Sequence, residues 1–243
     1  MTYSLQLYTV REALNRDLHG TIRQIAALGY EAVEPFNFVA LANELSDALA
    51  SSGLSAPSGH APLLQADQDE IFAAAKRLGI STVIDPHVPA ENWQSEDNIV
   101  ATARSLNDAA RRAAPHGIRV GYHNHAFELE ARIGGRSGLE VLAENLDPEV
   151  VLEVDTYWAA VGGEDVPALL GRLGDRVKLL HIKDGPLTKD DKEQTAVGAG
   201  RMPVWDCIDA AGSLETAVVE LDDFSGDVFD AIADSYTYLK AGK

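Results

Sequence analysis

Four side chains of the kind that ligate divalent cations, His123, Asp155, His181 and Glu220, each follow a short apolar run, and the four runs succeed one another along the chain. A mixed set of imidazole and carboxylate suits Mn²⁺, Mg²⁺, Co²⁺ or Zn²⁺, provided the fold brings the groups to one point and leaves positions open for water or substrate. Without a cation, Asp155 and His181 would form a buried ion pair across adjacent strands with Glu220 solvated above it. Several ionisable groups on one rim would repel or stay unpaired in that case, which favours the cation. Polar residues stand at matching places after the other apolar runs: Gln6, Glu34, His60, Asp85 with His87, Asn124 with His125, and Lys183 with Asp184. Any one of these would read as a capping or hydrogen-bonding residue. Their recurrence at nearly every run points to a reaction site.

Hydrophobic spacing locates the elements that must position these groups. Short, often β-branched runs predict strands over Tyr3–Leu7, Ala32–Glu34, Leu54–Gly59, Thr82–Ile84, Arg119–Tyr122, Val150–Val154, Val177–Ile182 and Ala217–Val219. Between them, helical spacing covers Leu18–Leu28, Asp67–Leu78, Glu96–Ala113, Leu139–Asn145 and Val166–Leu173, with helix-stop glycines at Gly29, Gly79 and Gly117. Eight such units in 243 residues fit a (β/α)8 TIM barrel, whose active site lies at the C-terminal ends of its strands. Neighbouring strand tips stand roughly 4.8 Å apart, so the last four can converge near the axis. The competing doubly wound open sheet would place a GxGxxG after its first strand, and none is present.

No linker, low-complexity block or long charge run divides the chain, so one domain spanning residues 1–243 is expected. Asp plus Glu number 38 against 20 Lys plus Arg, a net charge of −18. That balance argues against nucleic acid or an anionic membrane surface as a partner, since both require clustered basic residues. The lone Cys207 cannot form an internal disulfide and falls in a predicted helix among apolar neighbours, a core position. The opening Met-Thr-Tyr-Ser-Leu has no signal-peptide character and no apolar run nears the roughly 20 residues of a membrane span, so a cytoplasmic location is expected.

The segments Ser4-Leu5-Gln6-Leu7-Tyr8-Thr9-Val10-Arg11, Leu28-Gly29-Tyr30-Glu31-Ala32-Val33-Glu34, Ser58-Gly59-His60, Gly121-Tyr122-His123-Asn124-His125-Ala126-Phe127-Glu128, Val154-Asp155-Thr156-Tyr157-Trp158, His181-Ile182-Lys183-Asp184-Gly185 and Val219-Glu220-Leu221-Asp222 together resemble the xylose isomerase-like TIM barrel family. The closer likeness is to its sugar phosphate isomerase/epimerase branch, which includes inosose dehydratase. The resemblance covers almost the whole chain. It implies that Asp155, His181 and Glu220 bind one divalent metal with a fourth ligand from strand five. At that place His123 stands where many members carry glutamate, so either His123 is the ligand or Glu128 reaches back from the loop.

The resemblance further implies a reaction in which the metal binds a carbonyl and adjacent hydroxyl of a sugar, acidifies the C–H between them and stabilises an enediolate. Glu220 or His125 would be the base, Glu34 and His60 would grip hydroxyls, and Lys183 would face developing negative charge. Gln6 and Trp158 would complete the substrate-facing set. Epimerases of the family use glutamates from strands five and eight, and often carry histidine where Trp158 stands. The simple epimerase reading is weakened accordingly, while isomerisation or β-elimination needs one base and one acid, drawn from His125, His60, Glu34 or Lys183. Trp93, Trp158 and Phe36 serve either as apolar walls for a sugar face or as packing.

The connection from Asp184 to Val204 exceeds the usual roughly 2 to 6 residues of a βα loop and is either a lid or a disordered excursion. Within it Gly198-Ala199-Gly200 forms either a tight turn or a weak phosphate cradle, and Arg201 is the better phosphate candidate. The expectation is therefore a metal-dependent sugar isomerase or epimerase, with a lyase acting on a keto sugar or inosose as the alternative and a non-catalytic sugar-binding barrel as the third. The partner expected is a small carbohydrate, more readily unphosphorylated given the acidic field, and a homo-oligomer is compatible with the sequence.

Overall fold

The apolar runs form eight parallel strands: β1 Thr2–Gln6, β2 Ala32–Glu34, β3 Ser58–His60, β4 Thr82–Asp85, β5 Arg119–His123, β6 Val151–Asp155, β7 Val177–Ile182 and β8 Thr216–Val219. The computed structural model describes all 243 residues. The strands pair in the order β2-β1-β8-β7-β6-β5-β4-β3. Between the two ends of that order, β2 and β3 meet through isolated bridges from Ala32 to Ser55 and from Phe36 to His60. His60 N–H donates to the Pro35 carbonyl at 2.8 Å, and Val33 N–H to that of Ser55 at 2.9 Å. The result is a nearly closed (β/α)8 barrel, as expected.

The third strand is shorter than the Leu54–Gly59 expected. Gly53, at φ 71, ends the helix Ala42–Ser52 in the left-handed conformation, and Pro57 has no N–H to give a ladder, so regular pairing starts at Ser58. Gly79 and Gly117 end their helices in the same way, at φ 75 and 71. Side chains alternate along each strand. One set, including Leu5, Val33, Val120, Leu152, Leu180 and Val219, packs outward in the large core shared with the helices. The other set faces the barrel axis, where Ile84, Val151 and Leu179 form a small apolar floor. Gly121 faces that floor because a Cβ there would meet Ile84 and Val151. Above the floor the inward positions turn polar.

One irregularity lies beside them. Pairing of β6 with β7 shifts between Leu152 and Glu153, which sit opposite Val177 and Leu179. The unpaired residue is Lys178 of β7, so Glu153 keeps the alternation of β6 and shares a face with Asp155. No helix is long and apolar enough to cross a membrane.

Candidate functional site

Asp155, the last residue of β6, lies in register with His181 of β7. His123 ends β5 and Glu220 follows β8 by one residue. One donor atom from each of these four buried residues lies within 4.8 Å of the others, a set that could hold a metal ion. His181 Nδ1 is 2.7 Å from Glu220 Oε2, and His123 Nε2 is 3.9 Å from Asp155 Oδ2. Asp155 Oδ1 accepts the Trp158 N–H at 2.8 Å and so caps the helix Thr156–Val161. Its Oδ2 is buried and accepts no hydrogen bond. Two imidazoles and two carboxylates converging on one point make a donor set that fits a divalent cation.

Lys183 sits against the same carboxylates. Its Nζ is 2.9 Å from Asp155 Oδ2, 2.8 Å from Glu220 Oε2 and 2.7 Å from Asp222 Oδ2, and the residue is 1% exposed. The Asp155 contact is an ion pair, so the ammonium offsets the charge on that oxygen. Burial alone would lower the ammonium pKa, but Asp155, Asp222 and Glu220 outweigh it and hold the group well above the usual lysine value. Asp222 also accepts from Trp158 Nε1 at 3.0 Å and Gln194 Nε2 at 2.8 Å. It therefore fixes the lysine, the tryptophan and the long loop together.

Beneath this rim lies a second polar layer, centred on a residue the sequence reading passed over. Glu153 Oε2 is 2.6 Å from His60 Nε2, 3.2 Å from His123 Nδ1 and 3.1 Å from His181 Nε2. Glu34 Oε1 is 2.8 Å from His181 Nε2 and 3.1 Å from His60 Nε2, and it accepts from Gln6 Nε2 at 2.9 Å while Ser58 Oγ donates to the other oxygen. Burial would raise the Glu153 carboxyl, as would Glu34, but His181 and His60 bring it down to about 2. Burial opposes a charge on His60, yet Glu34 and Glu153 push its pKa up to about 9. Glu34 and Gln6 are fully buried and engaged inside the barrel, so they do not face the mouth as substrate-gripping groups. The period-two spacing of Glu153 and Asp155 on one inward strand face was the signal available for Glu153.

The mouth is a cavity of about 480 Å³ lined by Tyr8, Arg11, Phe36, His60, His125, Trp158, Glu220 and Asp222, among others. His125 stands at its edge, half-buried, with Nδ1 buried and without a hydrogen bond. Glu128 is turned away from the metal set: its oxygens accept from Tyr122 Oη at 2.7 Å and from the His125 N–H at 2.8 Å. Of the two strand-five alternatives, His123 is thus the one placed among the other donors. Trp93 is buried in the core and donates to the Val88 carbonyl, leaving Trp158 and Phe36 as the aromatic walls.

The 184–204 loop is neither a free lid nor an excursion. The Asp184 carboxylate accepts backbone N–H groups from Gly185, Gly198, Gly200 and Met202 at 2.8 to 3.0 Å. The glycine-rich turn is therefore filled by an internal anion and is no phosphate cradle, and Arg201 is exposed and does not line the mouth. Cys207 is buried in the helix Val204–Ala210, as expected.

The family described as xylose isomerase-like TIM barrel matches residues 22–213. An inosose dehydratase from Geobacillus kaustophilus is 30% identical over 192 residues, which are 71% of this chain and 61% of that protein. One from Mesomycoplasma hyopneumoniae is 36% identical over 83 residues, 34% of this chain and 27% of that protein. The chain thus matches between about a quarter and three fifths of the length of these curated relatives. Among solved structures, a sugar phosphate isomerase/epimerase from Parabacteroides distasonis superposes with TM-score 0.86 at 23% identity, covering 99% of this chain and 94% of that one. An IolI protein with a bound zinc atom superposes with TM-score 0.73 at 15% identity, covering 99% and 97%. At these identities the two structures speak for the fold.

Proposed function

The chain belongs to the xylose isomerase-like TIM barrel family, and from that premise we propose that it is a divalent-metal-dependent enzyme that moves a proton on the carbon beside a carbonyl of a sugar, giving isomerisation or epimerisation. The observation that carries this reading is the convergence of His123, Asp155, His181 and Glu220 at the C-terminal mouth of the barrel. These four residues would hold the ion, which when bound would polarise a carbonyl and its neighbouring hydroxyl and so acidify the C–H between them.

The chain's own groups supply the rest. His125, whose half-exposed ring lines the mouth, is the base best placed to accept a carbon-bound proton. Lys183 keeps a fixed positive charge beside Glu220 and Asp222, where negative charge developing on a substrate oxygen would be offset. The indole of Trp158, held by Asp222, and the Tyr8–Phe36 edge-to-face pair offer apolar walls that would exclude water from a sugar face. Arg11 lies over the Tyr8 ring and lines a mouth that also carries Asp191, Glu220, Asp222 and Asp223. That balance supports an unphosphorylated substrate.

A second reading, dehydration of a keto sugar or inosose, is favoured by the resemblance of the chain to inosose dehydratases. Incubation of the Mn²⁺-loaded protein with candidate keto sugars and inososes in D₂O separates them. Deuterium entering the product with its mass otherwise retained supports isomerisation or epimerisation, and loss of one water supports elimination. In either case His125→Ala should slow the reaction by about 10²- to 10⁴-fold while metal content is kept. Neither exchange nor water loss across such substrates would refute the proposal.

A further inference from the structure

The two imidazoles of the candidate metal set present opposite nitrogens to it. His181 turns Nδ1 toward Glu220 at 2.7 Å and Nε2 down to Glu34 Oε1 at 2.8 Å. His123 turns Nε2 toward Asp155 and Nδ1 down to Glu153 Oε2 at 3.2 Å. A neutral imidazole that gives one lone pair to a cation must carry its proton on the other nitrogen, and the acceptor placed at that nitrogen decides which tautomer is held and how the ring is turned. Here the downward nitrogen of His123 meets Glu153, and that of His181 meets Glu34 at 2.8 Å with Glu153 Oε2 farther off at 3.1 Å.

We propose that Glu34 and Glu153 are positioning residues for the metal site, Glu34 holding His181 as the Nε2–H tautomer and Glu153 holding His123 as the Nδ1–H tautomer. His60 ties the two carboxylates together, with Nε2 at 3.1 Å from Glu34 Oε1 and 2.6 Å from Glu153 Oε2. Gln6 and Ser58 occupy the outer sides of Glu34, so that carboxylate cannot swing away from His181. Glu153 is fixed by its strand, directly opposite His123 in the β5–β6 register. Glu153 thereby gains a role, Glu34 supports a ligand in place of the expected substrate contact, and His60 joins the two carboxylates while lining the mouth. These roles rest on the metal reading proposed above.

The test uses Zn²⁺, which is diamagnetic, on the full chain. Zn²⁺ affinity by chelator competition should fall about 10- to 100-fold in Glu153→Gln, the size expected when the carboxylate behind a ligating histidine is lost, and further in Glu153→Leu. Histidine ¹⁵N spectra of the Zn²⁺-loaded protein should show His123 protonated at Nδ1 and His181 at Nε2. Glu153→Gln should disturb the His123 pattern more than that of His181, which keeps Glu34 at 2.8 Å, while Glu34→Gln should do the reverse. A merely structural role would move both rings together and lower the melting temperature with them, and that outcome overturns the inference. So does a Glu153→Gln affinity within twofold of the parent. If the parent protein itself binds no Zn²⁺, Mn²⁺ or Co²⁺, the metal reading fails first and this inference falls with it, a result distinct from a variant that binds as well as its parent.

Discussion

Replacing Lys183 with methionine removes the single ammonium that stands among Asp155, Glu220 and Asp222 at 2.7 to 2.9 Å. Methionine keeps most of the stem volume, so the loss is chiefly one of charge. Taking away one partner of a buried pair leaves the other charge uncompensated and costs about 3–5 kcal/mol. For a domain of this size each kcal/mol moves the melting temperature by about 2–4 °C. The variant in EDTA should therefore melt about 6–20 °C below the parent. A divalent ion held by Asp155 and Glu220 would restore the missing positive charge. At roughly 100 times its Kd an ion contributes about 2.7 kcal/mol to the parent, and it should contribute more to the variant, because no ammonium then competes for the same oxygens. The assay is thermal unfolding by circular dichroism, each protein with EDTA and with saturating Mn²⁺ or Zn²⁺. Equal ion-induced shifts in the two proteins, or a variant within 2 °C of the parent in EDTA, would refute the reasoning.

Two more outcomes follow from groups away from the cation. Burial pushes the Asp85 carboxyl up to about 6 from 3.8, despite the N–H groups of Leu64 and His87 that it accepts. A pKa raised by folding favours the protonated form, so this contribution is present below about pH 4 and lost as pH rises through about 6, a swing of about 3 kcal/mol. The stability difference between the parent and Asp85→Asn should accordingly shift against the parent from pH 4 to pH 7 in denaturant titrations, and a difference that is flat or moves the other way contradicts the assignment. Asp184→Asn leaves fewer acceptor sites for the four backbone N–H groups that its carboxylate binds. Each N–H left unpaired costs about 1–3 kcal/mol, so limited proteolysis should cut the variant within residues 184–204 well before the parent, and equal cutting rates would show the loop is held by other contacts.

The barrel was legible because its signals are local. Alternating apolar runs and helix-stop glycines such as Gly79 and Gly117 depend on near neighbours in the chain, and they placed most elements to within a residue or two. The rim was legible for a related reason: a polar residue ending an apolar run, as at Asp155 or His181, announces itself by contrast. Depth was harder. Glu34 and Gln6 end their strands just as His123 does, but they are buried away from the mouth lining, and the partners of Glu34 come from residues 24 to 147 positions away. Glu153 lies inside an apolar run, so it reads as an interruption until its alternation with Asp155 is considered. The roles of Asp184 and Asp222 are not legible in sequence, because their partners Gly198, Gly200, Gln194 and Trp158 are assembled only by the folded loop. Glu128 shows the opposite error of distance. It is close enough in sequence to reach the site, but Tyr122 and the His125 N–H engage it first.

The central claim is that His123, Asp155, His181 and Glu220 hold one divalent ion at the barrel mouth. Crystals grown with Mn²⁺ or Zn²⁺ and measured at the absorption edge of that metal test it directly. One anomalous peak is expected at the mouth, about 2.0–2.3 Å from a donor atom of each of the four residues. A protein saturated with the metal that shows no peak there, or a peak held by other side chains, would contradict it.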